Sequence, residues 1–462
     1  MSITRWIAIG LSMAIIGALL CSCSLSESKA KLDDASGSPG EYTFANKTLS
    51  VAVFDNGSGS KEKYWRAIIQ KFEADYPGVT IHLQSNPNIL DIIAPQFITG
   101  HPPDLIVIPP NSNGGVLDQM TKDKQFLDLT PLFESNGTGT NSPLKDSFLD
   151  GILTYSRPLN DGKMYFAPFT TSPMGLIYNK ALFRSKGWKP PKTWDEFMAL
   201  GKAAKQEGRS LFTYQGLYPS YIESMFWSSV ASAGAPEAVM NAENYVKGAF
   251  KSSSVQQAME VYATIAKKGY LLPGSVTMNH TQSQAAFLQG KALFIPCGTW
   301  IEDEMKNMPR EDGFEYGFLA PPVFTKDAQQ YAEIWMDGIY IPAKAQNIEL
   351  AKAFLSYQYR DESVKLNAEI TQGVVAVKNG ADLAKPYISP VFYDAAKIFD
   401  NGVKPIIFQW KSTPSTDVNI TNDLWLPLGS IMQSMMSVSQ WQDQLEAASA
   451  KLRALLASVT AN

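Results

Sequence analysis

Histidine and cysteine are scarce in this chain, with three of each among 462 residues. His82 falls in an alternating strand pattern and His101 in a turn, so neither suggests a metal site, and no H-E-x-x-H pair occurs. Also missing are G-x-S-x-G and G-x-x-x-x-G-K-[ST], the signatures of a strained nucleophile elbow and of a phosphate-cradling loop. Basic residues form no stripe: 40 Lys and Arg stand against 44 Asp and Glu, and a formal charge of −4 does not favour nucleic acid. The apolar run Ile7 to Leu20 is too short to cross a bilayer comfortably.

What is present is the composition of a globular protein, 45% hydrophobic and 18% charged, long enough for two or three domains. Arg5, the apolar run and then Leu20-Cys21-Ser22-Cys23 read as a signal peptide over 1–22 that ends in a bacterial lipobox. Small Ser22 before Cys23 makes Cys23 the expected lipidated residue, better than Cys21 after bulky Leu20. That leaves Cys297 as the second thiol of the mature chain, so no structural disulfide is expected. Residues 23–47, polar and rich in small side chains, read as a flexible tether of ~25 Å between anchor and body.

From Leu49 the pattern alternates strand, helix, strand, helix, strand: Leu49–Phe54, Lys61–Tyr76 stopped by Pro77-Gly78, Val79–Leu83, Ile89–Thr99 and Leu105–Ile108. Such a series favours a parallel sheet covered on both faces, with ligands outside the carboxyl ends of the strands. Two loops fall at such ends, Asp55–Ser60 and Pro109–Gly115, and Asp55 and Asn56 open the first. Further on, Tyr214, Tyr218, Tyr221 and Trp227 form an aromatic cluster. Flat rings with polar edges suit small-molecule pockets, which makes Tyr214 a ligand candidate, whereas Trp227 fits a packed core helix better. Glu302-Asp303-Glu304 invites a reading as paired catalytic acids, but neighbours on a helix face apart, and acids in a first turn are explained by the helix dipole.

The stretch Phe166 to Lys205 organises the rest. Gly175-Leu176-Ile177-Tyr178 has strand character, Pro190-Pro191 forces an extended turn, and Thr193-Trp194-Asp195-Glu196 is a capping box that starts a helix of about three turns. This order resembles the first crossing strand of the family 1 extracellular solute-binding proteins, the group of maltose-binding protein. There a proline-led segment, "(L/I)YNK" and "PPKTW(D/E)E" pass from one lobe into the other, matched here by Pro168, Leu176–Lys180 and Pro190–Glu196. Further similarity lies in Phe72-Glu73 with Tyr76–Val79, in Phe97 with Gly100 and Pro102–Asp104, in Leu127–Leu132, in Ala285–Ile295 with Gly298-Thr299-Trp300, and in Tyr331–Pro342.

The resemblance implies a two-lobe, type II periplasmic-binding-protein-like α/β fold with crossing strands. Its first lobe would span 48–166, completed by part of 340–400, and its second 167–335. Residues 336–462 would hold the return crossing and C-terminal helices packed on both lobes. By the same resemblance Asn111 and Ser112 occupy the place of a charged pair that contacts sugar hydroxyls, and Trp300 that of a stacking tryptophan. Ser172 belongs to the first crossing, Trp335 and Asp337 to the cleft floor, and Trp425 to a helix facing the cleft. No cofactor, metal or catalytic residue is implied.

The function so implied is that of a monomeric lipoprotein facing the periplasm or cell exterior. It would capture a mono- or oligosaccharide by bending near 169–175 and 335–338 and hand it to the permease of an ATP-driven importer. A phosphorylated polyol is the alternative ligand, disfavoured because the cleft candidates lack an Arg/Lys cluster. A surface glycan hydrolase and a tethered sensor are the rival classes.

Overall fold

The computed structural model describes residues 44–55, 57, 59–110, 116–137 and 141–460. Three parallel strands open the first lobe: β1 (Thr48–Phe54) lies between β2 (Thr80–Asn86) and β3 (Leu105–Ile108). Helix Ser60–Asp75 buries Tyr64, Trp65, Ile68, Ile69 and Phe72, a one-face spacing, against this sheet. All four residues of β3 are buried, as a strand covered on both faces requires.

Two long strands then serve both lobes. β4 (Ala167–Asn179) and β8 (Tyr331–Tyr340) run antiparallel to each other. The end of β8 pairs with β3 in the first lobe (Ile106 opposite Tyr340). The end of β4 lies between β6 (Ala292–Gly298) and β7 (Tyr316–Leu319) in the second, where β5 (Ser210–Phe212) extends the sheet parallel to β6. Two short strands complete it: β9 (Val374–Val375) against Thr170 and Thr171 of β4, and β10 (Lys404–Ile406) alongside the start of β8. The strand expected at Gly175–Tyr178 is therefore only the second-lobe portion of a strand of 13 residues. Pro168 and Pro173, which cannot donate to a ladder, obscure its first portion.

Two cores sit on either side of this crossing. The first holds Val53, Trp65, Ile106 and Phe169, with Leu350 and Phe354 of helix Ile348–Tyr357. The second holds Leu176, Phe197, Trp227 and Phe294, with Trp441 and Leu445 of helix Val438–Thr460. The two-lobe α/β fold expected from the sequence is the fold observed. Helix Trp194–Gln206 begins on a capping box: the Glu196 N–H donates to Thr193 Oγ1 (3.2 Å) and the Thr193 N–H to Glu196 Oε2 (3.3 Å). Such a cap stabilises a helix by about 1 kcal/mol and fixes where the second lobe's first helix starts.

Candidate functional site

On the first-lobe side of the crossing, the acidic residues are committed to the chain itself. Asp55, just past β1, accepts from the N–H groups of Gly57 (2.8 Å), Gly59 (3.2 Å) and Glu62 (3.0 Å). Burial raises its pKa, but the backbone donors and nearby Lys61 outweigh burial and hold the carboxyl below its ordinary value. Asp55 thus closes the turn into helix Ser60–Asp75. Asp337 on β8 is bound by Lys61 Nζ (2.8 Å) and by Thr170 Oγ1 (2.7 Å), tying both crossing strands to the first-lobe helix.

The second-lobe side is built differently. A cavity of about 480 Å³ opens where the carboxyl end of β6, the start of β8 and the turn Pro219–Ile222 meet. Its rings are Tyr221, Trp300, Trp335 and Phe408. Trp335 is 57% exposed, although it stands in a strand whose other residues are all buried. A tryptophan left in water at such a place forgoes the burial that normally stabilises it, which makes it a candidate contact. Trp300 is partly buried, and its ring folds back over Gly298; a Cβ at 298 would lie 1.9 Å from it. The Gly-Thr-Trp turn therefore needs its glycine for the ring to lie at the mouth. Behind this wall Trp227, fully buried, stacks on Phe408 with centroids 3.8 Å apart and planes 9° from parallel.

Three carboxylates also line the cavity: Glu223, Glu304 and Glu333. Glu333 is 6% exposed and its Oε2 has no hydrogen-bond partner. Burial, then the charges of Glu223 and Glu243, push its pKa well up. Burial raises Glu223 likewise, partly offset by the indole of Trp227. Helix Glu223–Glu243 is kinked at Gly234 and Ala235, so acids from both of its ends act on Glu333. None of the described residues lining the cavity is basic. The neighbouring thiol of Cys297 is buried, and its pKa is raised by that burial, so it offers no ready nucleophile.

Of the residues singled out in the sequence, Trp300 and Trp335 line this cavity, and Ser172 pairs with Trp335 across the crossing strands. Tyr214 does not reach it, being 0% exposed. Thr213 and Gln215 extend the edge of β5 along β6, so Tyr214 turns into the core and stacks near Phe212. Trp425 is also a core residue, 3% exposed and edge-on to Phe226, in a short helix pinned by the Trp441 indole N–H donating to the Leu424 carbonyl (2.9 Å). Asp55 and Asp337 stand near the crossing but are occupied by the bonds given above. Asn56, Asn111, Ser112 and Cys23 lie outside the described residues. Glu223, Phe408 and Glu333 also line the cavity without being singled out by the sequence, and Glu304, an acid in the first turn of helix Ile301–Glu304 as expected, lines it too. One signal was available: a lone carboxylate at an inward position of Tyr331-Ala332-Glu333-Ile334-Trp335.

Among known proteins, the family model described as bacterial extracellular solute-binding protein matches residues 56–365. The diacetylchitobiose binding protein NgcE of Streptomyces coelicolor is 26% identical over 435 residues, covering 90% of this chain and 86% of that protein. The multiple sugar-binding protein of Streptococcus mutans is 24% identical over 319 residues, covering 68% and 72%. The fold matches the apo form of RafE from Streptococcus pneumoniae with a TM-score of 0.70 at 20% identity, over 89% of this chain and 100% of that one. With the family model covering more than half of the chain, the chain belongs to the bacterial extracellular solute-binding proteins, which are receptors and not enzymes.

Proposed function

We propose that this chain is the carbohydrate receptor of an ATP-driven importer, holding a mono- or oligosaccharide in the cavity between Trp300 and Trp335. The observation that carries this reading is the exposure of Trp335 on a crossing strand otherwise buried, with Trp300, Tyr221 and Phe408 around the same space. Pyranose rings present apolar C–H faces to such rings and hydroxyls to nearby carboxylates, and a volume of about 480 Å³ suits a small saccharide. The named relatives that bind diacetylchitobiose and multiple sugars support the same class. A phosphorylated polyol fits poorly, because acids and no described base line the cavity. In the same proposal the body acts as a monomer tethered through Cys23 outside the cytoplasmic membrane, bends near 169–175 and 335–338 around its ligand, and delivers it to a permease.

The test is a thermal-shift and calorimetric screen against mono- and oligosaccharides, since a ligand that binds the folded form raises the melting temperature. Trp335→Ala is expected to weaken saccharide binding by roughly ten- to hundredfold, about 1.4–2.8 kcal/mol, with little change in melting temperature. An unchanged affinity would place the ligand elsewhere.

A further inference from the structure

From the carboxylates around the cavity we infer that the ligand carries a protonated amine: the bound saccharide is an amino sugar with a free amino group, which Glu333 and Glu223 receive as counter-charges. This rests on the carbohydrate reading above and narrows it.

An acid without a partner is costly to hold away from water, and a cation offsets that cost more fully than a sugar hydroxyl does. Here Glu333 is 6% exposed, lines the cavity, and keeps a buried oxygen to which nothing donates. Its backbone N–H donates to Ser228 Oγ (3.1 Å), which fixes the strand position of a side chain that lines the space. Glu304 on the opposite wall is steadied by Gln284 Nε2 (2.9 Å). The nearby Lys61 is engaged by Asp337. Among the described residues no cation pairs with the acids of this wall, and a ligand could supply one.

The rings decide what kind of cation fits. Trp335, Trp300 and Tyr221 offer π faces, which attract an organic ammonium as well as apolar C–H groups. A metal ion would need converging oxygens, and among the described residues no group of three or more acid, histidine or cysteine side chains is placed to hold one. An ammonium on a pyranose ring satisfies both halves of the wall, its charge favouring the ionised carboxylates against their burial and its ring lying on the aromatic faces.

The experiment is calorimetry on the full chain with three disaccharides that differ only at carbon 2: glucosamine, N-acetylglucosamine and glucose dimers, with spermidine as a non-sugar amine. The glucosamine dimer is expected to bind about ten- to a hundredfold more tightly than the other two sugars. Glu333→Gln should remove that preference while leaving weak sugar binding, and the wild-type series stands alone if the variant folds poorly. Equal or tighter binding of the acetylated or hydroxyl sugar overturns this inference and leaves the carbohydrate reading intact. Binding of spermidine with no saccharide bound overturns the carbohydrate reading and keeps the amine. No binding by any of the four overturns both.

Discussion

The two walls flanking the crossing strands use the same residue types to opposite ends. On the first-lobe side, Asp55 takes three backbone N–H groups and Asp337 takes Lys61 and Thr170, so each carboxylate is consumed in holding the chain. On the second-lobe side, Glu333 has an oxygen with no donor and Trp335 stands in solvent. Trp65, the first lobe's counterpart in size, is buried beside Phe169. Residue type therefore does not tell a binding group from a structural one; what else already satisfies it does.

The contrast breaks most visibly through Trp425→Ala. If that ring belongs to the second core, its loss should cost about 3–5 kcal/mol of unfolding free energy in a denaturant titration. A cost under about 1 kcal/mol would return Trp425 to the list of ligand contacts.

A medium-sized effect is expected from pH. Burial raises the carboxyl of Glu243 from 4.5 to about 8, opposed by the Gln409 N–H and reinforced by Asp118. The folded state then keeps a proton that the unfolded chain releases, so this contribution is fully present below the ordinary carboxylate range and is lost as pH rises to about 8. Melting temperature should fall from about pH 5 to about pH 8, and Glu243→Gln should flatten that slope. A profile unchanged by the substitution would mean that Glu243 titrates as an ordinary surface acid.

The smallest effect sharpens the comparison from the other side. Tyr214 buries a hydroxyl that has no partner, so Tyr214→Phe should be neutral or stabilising by up to about 1 kcal/mol and should leave ligand affinity unchanged. A tenfold loss of affinity would show that this hydroxyl reaches the ligand after all.

Much of the fold was legible because it is written in local chemistry. The capping box at Thr193 and Glu196, the one-face spacing of helix Ser60–Asp75 and the unbroken apolar β3 each report their own surroundings. The site was less so. The turn before Trp300 leaves its ring at the cavity, whereas Tyr214 and Trp425, the latter singled out by resemblance, pack into the core, because sequence does not say which face of an edge or of a short helix meets it. Glu223 and Glu333 lie far apart in sequence and become a pair only when β8 packs beside helix Glu223–Glu243.

Between Pro168 and Thr171 the pairing of β4 with β8 slips, and Thr170, skipped by that ladder, pairs with Val375 of β9. The sheet shared by the two halves is thus thinnest in rungs at its midpoint, much as a leaf spring is filed where it should flex. If the lobes bend as proposed, rotation at that interruption would strain the fewest β4–β8 ladder bonds, leaving more of a guest's binding energy to hold the closed form.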